Sequence, residues 1–277
     1  MPLPLAAVAS AVAPAIAPQR HETVLCLHSS GSSGRQFSRL AGSFDPSLEV
    51  LCPELLGYDV EASWELGREM SLDDEVERLL PLIDARSQGV HVLGHSYGGS
   101  VALQLALHRP ERVKSLTLYE PVRFGVLFGD ETTQASAREA ISIGLEVGRK
   151  VLAGQLRGAA ALFVDYWSGH GAWEGLGHGL QDSMLQRMPK IRAEYQALFA
   201  DPVPRSAYER LHMPVRLLGG SRSPRPVRDI ARVLASRLPR PRWLEIIGAG
   251  HMAPLAQPAL VAQFLPKWMQ PSGARGT

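Results

Sequence analysis

Residues 89–99 read Gly-Val-His-Val-Leu-Gly-His-Ser-Tyr-Gly-Gly. The apolar, β-branched start of this stretch predicts a buried strand, and residues 100–108 predict a helix. The pattern Gly-x-Ser-x-Gly at residues 94–98 therefore lies between a strand and a helix, which is the setting of a nucleophile elbow. Such a turn strains the serine backbone and lifts its hydroxyl clear of the sheet. Ser96 is therefore the candidate nucleophile.

Outward from this turn, short apolar runs alternate with helical periodicity, which predicts a mostly parallel α/β sheet. The predicted strands are residues 23–27, 49–52, 89–94, 113–119, 214–218 and 242–247. Between residues 124 and 211 only helical patterns occur. We therefore expect a core formed by residues 1–123 and 212–269, a helical cap inserted at 124–211, and a disordered tail at 270–277. The last helix of the core is predicted over residues 258–269.

The composition limits the classes of function. The chain has 277 residues, of which 45% are hydrophobic and 20% charged, with a net charge of +2. These values are typical of a globular protein, and they give no reason to expect nucleic acid or an anionic membrane as a partner. Two cysteines and no Cys/His cluster predict no metal site. Because no phosphate-binding glycine motif follows a strand, we also expect no nucleotide cofactor.

The N-terminal residues bear on localisation. Residues 1–18 lack the basic start and the unbroken apolar stretch of a secretion signal, and no segment of the chain reaches the ~18 consecutive apolar residues of a transmembrane helix. We therefore expect a cytoplasmic protein, and export is the alternative.

A serine hydroxyl is a poor nucleophile without a base. His251 lies in the sequence Gly-Ala-Gly-His-Met-Ala-Pro at residues 248–254, directly after the last predicted strand. Because the carboxyl ends of parallel strands meet at the same edge of a sheet, we expect His251 to lie beside Ser96. The alternative is that His251 is an ordinary surface histidine of this loop.

With these motifs the chain resembles the α/β-hydrolase fold family, specifically its bacterial members with a helical cap, from about residue 23 to residue 269. The resemblance implies a doubly wound sheet and the chain order serine, acid, histidine. It also implies an oxyanion hole made by the backbone N–H of Tyr97 and by one N–H from the loop that begins at His28. The family usually has His-Gly in that loop. By position the second donor is Ser30, and Ser29 is the alternative.

The position of the candidate acid in the sequence departs from the family pattern. The family usually carries an aspartate after its seventh strand, but residues 219–226 read Gly-Gly-Ser-Arg-Ser-Pro-Arg-Pro and contain no carboxylate. Other members carry the acid after the sixth strand, where this chain has Glu120. We therefore predict that Glu120 orients His251 and stabilises its charged form. Asp229 and Glu245 are the alternatives, and Glu120 would then serve only at the entrance to the cap.

The resemblance implies a cofactor-free serine hydrolase that cleaves a small or medium carboxylic ester through an acyl-enzyme. Carbon–carbon bond hydrolysis, peroxyacid formation and ligand binding without turnover are the alternatives. Aromatic side chains in the cap predict an apolar pocket for a small-molecule substrate, although the same spacing also suits packing inside the cap. The candidate substrate-binding residues are Tyr166, Trp167, Trp173 and Met252.

Overall fold

A computed structural model describes residues 22–59, 64–65 and 67–271. These residues form a six-stranded sheet in the order β2-β1-β3-β4-β5-β6, and every neighbouring pair of strands is parallel. The strands are β1 (Thr23–Leu27), β2 (Glu49–Leu51), β3 (Val90–His95), β4 (Val113–Tyr119), β5 (Val215–Gly220) and β6 (Pro241–Ile246). Each begins and ends within two residues of a predicted strand, so the parallel α/β sheet is confirmed.

The helices follow the strands as the alternating pattern predicts. They are α1 (Ser38–Ala41), α2 (Leu72–Asp84), α3 (Tyr97–His108), α4 (Gln134–Leu152), α5 (Leu156–Ser168), α6 (His178–Ala200), α7 (Arg225–Arg237), α8 (Ala253–Ala256) and α9 (Pro258–Ala262). The described segment between β4 and β5 is helical, with α4, α5, α6 and three short 3-10 turns. Its division from the core as a cap stays a prediction.

Helices cover both faces of the sheet because successive residues of a strand point to opposite faces. In β1, Leu25 and Leu27 belong to one buried apolar cluster, and Val24 and Cys26 belong to the other. Strands buried on both faces are typical of parallel sheets with helices on each side. This doubly wound architecture brings the carboxyl ends of β1, β3, β4, β5 and β6 to one edge.

The predicted helix over residues 258–269 is wrong beyond Ala262, where α9 ends. Pro266 has no N–H to donate to the carbonyl of Ala262, and its ring would collide with that carbonyl in a continuous helix. The chain instead forms a 3-10 turn at Lys267–Met269. The expectations about residues 1–18, and most of those about the tail, lie outside the described residues.

Candidate active site

Ser96 lies in the turn between β3 and α3. Its backbone has φ 55° and ψ −117°, a conformation that is strained for any residue with a side chain. Gly98 makes the turn possible, since a Cβ at this position would lie 2.2 Å from the carbonyl oxygen of Leu27. The structure therefore has the strained strand–turn–helix that the motif predicts.

His251 lies in the loop after β6, and its ring forms hydrogen bonds with side chains from two other elements. Its Nε2 is 2.9 Å from Ser96 Oγ, and its Nδ1 is 2.7 Å from Glu120 Oε2. Because an ionised carboxylate only accepts hydrogen bonds, the ring proton lies on Nδ1 and Nε2 accepts from the serine hydroxyl. The structure thus brings together the three side chains that the sequence selects as nucleophile, base and acid.

Glu120 is the first residue after β4, and its backbone has φ 45°. The side chain is 1% exposed. Its second carboxylate oxygen, Oε1, accepts a hydrogen bond from the N–H of Gly220 at 2.5 Å. Both oxygens of this buried carboxylate are therefore bonded, and the side chain is fixed against the His251 ring.

The two alternative acids are not placed at His251. Asp229 lies on α7, where its carboxylate accepts from Ser136 Oγ at 2.5 Å and pairs with Arg232 at 2.7 Å. Glu245 is exposed within β6. Of the three candidate acids, Glu120 is the one that contacts His251.

The loop after β1 offers a free backbone N–H at Ser30. The N–H of Ser29 donates to Gln36 Oε1 at 3.0 Å, so it is already engaged. The Ser29 carbonyl accepts from His28 Nδ1 at 2.9 Å and from the N–H of Ser32 at 3.2 Å. Since C=O and N–H point in opposite directions across a trans peptide, the Ser30 N–H is turned away from these partners.

Tyr97 supplies the second free N–H of this region. As the first residue of α3, it has no intrahelical acceptor for its N–H. In the described part of the chain, neither this N–H nor that of Ser30 has a hydrogen-bond acceptor. The positive end of the α3 dipole adds to the attraction that this turn has for negative charge.

A buried chain of hydrogen bonds links the Ser29 loop to His251. Gln36 Nε2 donates to His95 Nδ1 at 3.1 Å, and His95 Nε2 donates to the His251 carbonyl at 2.9 Å. Burial and the neighbouring His251 hold the pKa of His95 well below its usual value, so its ring is neutral and can accept at one nitrogen and donate at the other. Sequence reasoning missed Gln36 and His95 because no motif marks their pairing.

A cavity of about 470 Å³ opens above these residues. One side is polar and consists of residues 29–33 after β1 with Arg35 and Gln36, together with Ser168, Ser183, Arg187 and Glu194 from the segment between β4 and β5. The other side is apolar, and its residues include Val122, Phe124, Phe163, Val164, Trp167, Leu176, Leu180, Met184, Tyr195, Leu198, Met252 and Leu255. Ser96 and His251 line the same cavity. Its volume is in the range of pockets that bind small organic molecules.

A model of the alpha/beta hydrolase family matches residues 24–264, which is most of the chain. The chain belongs to the alpha/beta hydrolase family. Among curated relatives, Lipase LipV of Mycobacterium tuberculosis is 37% identical over 99 residues, 35% of this chain and 36% of the relative. The 2-hydroxymuconate semialdehyde hydrolase of Pseudomonas putida is 34% identical over 113 residues, 39% of this chain and 40% of the relative. The chain spans about a third of the length of the first curated relatives that it matches.

Solved structures of other hydrolases share the fold over almost the whole chain. The enol-lactonase from Burkholderia xenovorans LB400 superimposes with a TM-score of 0.70 at 14% identity, over 88% of this chain and 89% of that one. MGS-M2, an alpha/beta hydrolase from a Medee basin deep-sea metagenome library, has a TM-score of 0.72 at 15% identity, and 90% of each chain is covered. At these identities the comparison establishes the fold alone.

In this alpha/beta hydrolase the four predicted substrate-binding residues separate into two groups. Trp167 and Met252 line the cavity, and the Trp167 ring lies 4.2 Å from the His251 ring between centroids. Tyr166 instead donates to Glu139 at 2.8 Å and lines a separate surface depression. Trp173 is 2% exposed and is not among the residues that line the cavity. The structure therefore places Tyr166 and Trp173 outside the pocket.

Among the described residues of this alpha/beta hydrolase, no group of three or more His, Cys, Asp or Glu side chains is placed to hold a metal ion. Within the same residues, no helix is both long enough and apolar enough to cross a membrane.

Proposed function

We propose that this alpha/beta hydrolase is a serine hydrolase that cleaves a small or medium carboxylic ester. The observation that carries the proposal is the chain of hydrogen bonds from Ser96 Oγ to His251 (2.9 Å) and from His251 to Glu120 Oε2 (2.7 Å). Ser96 and His251 line a largely apolar cavity. Nucleophile, base and orienting acid within hydrogen-bond reach are what acyl transfer through a serine requires.

In the proposed reaction Ser96 Oγ attacks the ester carbonyl while His251 Nε2 takes the hydroxyl proton. The Nδ1–H of His251 remains bonded to Glu120, which stabilises the imidazolium that forms. The N–H groups of Ser30 and Tyr97 stabilise the oxyanion. His251 then protonates the leaving alcohol, and a water molecule that His251 deprotonates cleaves the acyl-enzyme.

The assignment of Ser30 as the oxyanion donor, in place of Ser29, rests on hydrogen-bond partners. The Ser29 N–H is bonded to Gln36 Oε1, so using it would break one of the two hydrogen bonds that this buried amide oxygen accepts. The Ser30 N–H has no competing acceptor in the described residues. Donors that are already oriented and unpaired stabilise a developing oxyanion without a reorganisation cost.

The residues that line the cavity support a small or medium carboxylic ester as the substrate. Its apolar wall suits an acyl chain or an aromatic group, and its polar side suits the reacting carbonyl. Trp167 and Met252 belong to this wall, so we propose them as substrate-binding residues. The partner is therefore a small molecule, and no bound cofactor takes part in the proposed reaction.

The experiment that tests the proposal is hydrolysis of p-nitrophenyl esters from acetate to decanoate, measured as burst and steady state. We expect turnover by the wild type and none by Ser96→Ala. Ser100→Ala is the matched control, since Ser100 lies one turn along α3 and its buried hydroxyl has no hydrogen-bond partner among the described residues. An alkyl fluorophosphonate should add covalently to wild type and to Ser100→Ala but not to Ser96→Ala.

Carbon–carbon bond hydrolysis is the second candidate, because one curated relative is named as a 2-hydroxymuconate semialdehyde hydrolase. The same serine, histidine and acid could serve that reaction. A folded wild type that cleaves no p-nitrophenyl ester but consumes 2-hydroxymuconate semialdehyde would favour this candidate. A wild type that turns over neither substrate and does not react with the fluorophosphonate would favour ligand binding without catalysis.

A further inference from the structure

Three charged side chains lie buried together at the contact between α2 and α6. Glu75 of α2 is 0% exposed, and Lys190 and Glu194 of α6 are 3% and 1% exposed. Lys190 Nζ lies 3.1 Å from Glu75 Oε1 and 2.9 Å from Glu194 Oε1. Removing three charges from water is costly, so such a group is weak support for stability alone. Its other partners indicate a second role.

One branch of this cluster ends at the loop that holds Ser30. Tyr58 donates to Glu194 Oε1 at 2.8 Å, and the Tyr58 oxygen accepts from the N–H of Gly31 at 2.8 Å. A phenol has one hydroxyl proton, and in Tyr58 this proton is donated in the hydrogen bond to the Glu194 carboxylate. The lone pairs of the Tyr58 oxygen are therefore directed to Gly31, the residue next to Ser30.

The other branch ends at Tyr97. Its hydroxyl donates to Glu75 Oε1 at 3.1 Å, while Glu75 Oε2 accepts from the N–H of Leu56 at 2.9 Å. Lys190 Nζ also lies 5.0 Å from the centre of the Tyr97 ring and 5.2 Å from that of Tyr58. The same ammonium thus contacts the aromatic rings at both ends.

Helix α6 holds Gly31 by further contacts. Arg187 Nη1 donates to the Gly31 carbonyl at 2.7 Å. Gly31 has φ 68°, and a Cβ at this position would lie 2.9 Å from Met184 Cε. Tyr58 and Arg187 thus hold the N–H and the carbonyl of Gly31, and Met184 of α6 leaves no space for a side chain at this position.

We propose that Lys190 and Glu194 are positioning residues of the oxyanion hole. They fix the position of the Ser30 N–H through Tyr58 and Gly31. They fix the position of the Tyr97 N–H through Glu75. The inference rests on the proposed function, because it takes the N–H groups of Ser30 and Tyr97 as the donors. It assigns α6 a part in catalysis without contact to the reacting atoms.

The protonation states agree with these hydrogen bonds. Burial and the charge of Glu194 raise the pKa of Tyr58 well above its usual value, so the phenol keeps its proton. Burial lowers the pKa of Lys190, but Glu194 and Glu75 outweigh this effect and the pKa is raised. The ammonium and the phenol therefore remain as donors across the pH range in which the enzyme would work.

The test compares kcat and KM of p-nitrophenyl ester hydrolysis for Tyr58→Phe, Glu194→Gln and the double variant Lys190→Met/Glu194→Gln. The double variant removes one charge of each sign, so the remaining carboxylate keeps the net charge of the cluster. Active sites are counted with the fluorophosphonate so that unfolded protein does not enter kcat. We expect kcat to fall about tenfold to a hundredfold, with KM within about twofold.

Two further readouts separate positioning from structural support. A trifluoromethyl ketone forms a tetrahedral adduct whose oxyanion occupies the hole, and its inhibition constant should rise in parallel with the loss of kcat. In addition, Tyr58→Phe and Glu194→Gln should be strongly non-additive, because they act on one chain of hydrogen bonds.

The control variant is Asp201→Asn, which breaks another buried ion pair, Arg123–Asp201 at 2.7 Å, beyond the C-terminal end of α6. We expect a lower melting temperature with little change in kcat. If the Tyr58 and Glu194 variants behave in the same way, with unchanged kcat and unchanged ketone inhibition, the inference is overturned and the cluster is structural. A wild type without Ser96-dependent turnover would overturn the proposed function itself.

Discussion

Glu120 and Gly220 lie at the ends of neighbouring strands, and the N–H of Gly220 donates to Glu120 Oε1 across a gap of 2.5 Å. Gly220 ends β5, after which the family usually carries its aspartate. In this chain the carboxylate beside His251 is that of Glu120, which follows the end of β4. The backbone of β5 therefore holds the Glu120 carboxylate, which we propose as the acid, and residues 219–226 themselves contain no carboxylate.

The role of Glu120 is tested by Glu120→Gln. The amide can still accept from Gly220 but presents a donor to His251 Nδ1, which favours the tautomer that cannot deprotonate Ser96. We expect kcat for p-nitrophenyl butyrate to fall about a thousandfold to ten-thousandfold while the circular dichroism spectrum is retained. Asp229→Asn is the control and should keep near-normal kcat, because Asp229 bonds to Ser136 and Arg232 instead. The reverse pattern would make Asp229 the acid.

The turn at Ser96 and the meeting of Ser96, His251 and Glu120 could be predicted because their signals are local. A strand, two glycines and a helix specify the turn at Ser96. The ends of β4 and β6 lie at the same edge because all strands of the sheet are parallel. Lys190 and Glu75 are 115 residues apart, and no local pattern indicates that they meet. Their pairing depends on where the tertiary fold places α6 relative to α2.

The aromatic residues show a second limit of sequence reasoning. Tyr166 and Trp167 are consecutive in α5, and consecutive residues of a helix point about 100° apart. In α5, Trp167 lines the same cavity as Phe163 and Val164, whereas Tyr166 does not, and composition does not say which of the two rings faces the cavity. Trp173 follows the end of α5 at Ser168, so its direction depends on the intervening turn.

Gln36 should matter for catalysis although it contacts neither substrate nor nucleophile. Gln36→Met keeps the length of the side chain but leaves the Ser29 N–H and His95 Nδ1 without partners. We expect kcat to fall about tenfold or more, because the chain of hydrogen bonds that connects the Ser30 loop to the His251 carbonyl is broken. The free energy of unfolding should fall by about 1–3 kcal/mol. Kinetics and urea unfolding measure the two effects.

Ser29→Ala separates these effects. It removes the hydroxyl bond to Gln36 Oε1 at 3.0 Å but keeps the backbone N–H bond. We expect a much smaller loss of kcat than for Gln36→Met. Equal losses in both variants would show that the Ser29 hydroxyl, and not the amide link to His95, carries the effect.

Trp167 should limit the length of the acyl chain. The ring lies over His251 and lines the cavity, so Trp167→Phe adds space beside the reacting carbon. We expect kcat/KM to shift towards longer p-nitrophenyl esters, by about tenfold in the decanoate-to-butyrate ratio. Trp173→Phe is the matched control, since Trp173 lies outside the cavity. It should lower the melting temperature and leave the chain-length profile unchanged, and an equal shift in both variants would refute this account of the pocket.

His91 makes stability depend on pH at the sheet surface. Burial, and then the nearby Lys114, lower its pKa to about 4, and Glu22 opposes this shift only in part. The ring packs on Trp268 with 3.8 Å between centroids and bonds Ser115 Oγ at 2.7 Å. In the unfolded chain His91 binds a proton near its ordinary pKa of 6.5. Its contribution to stability is therefore full above about pH 6.5 and is lost as the pH falls towards 4.

Urea unfolding of wild type and His91→Gln between pH 4 and pH 7 measures this contribution. The free energy of unfolding of the wild type should fall with decreasing pH, and His91→Gln should remove up to about 1.4 kcal/mol per pH unit from that slope. His95, whose pKa is also lowered by burial, contributes with the same sign in both proteins. The difference between the two slopes is therefore due to His91, and parallel slopes would mean that His91 titrates alike in the folded and unfolded chains.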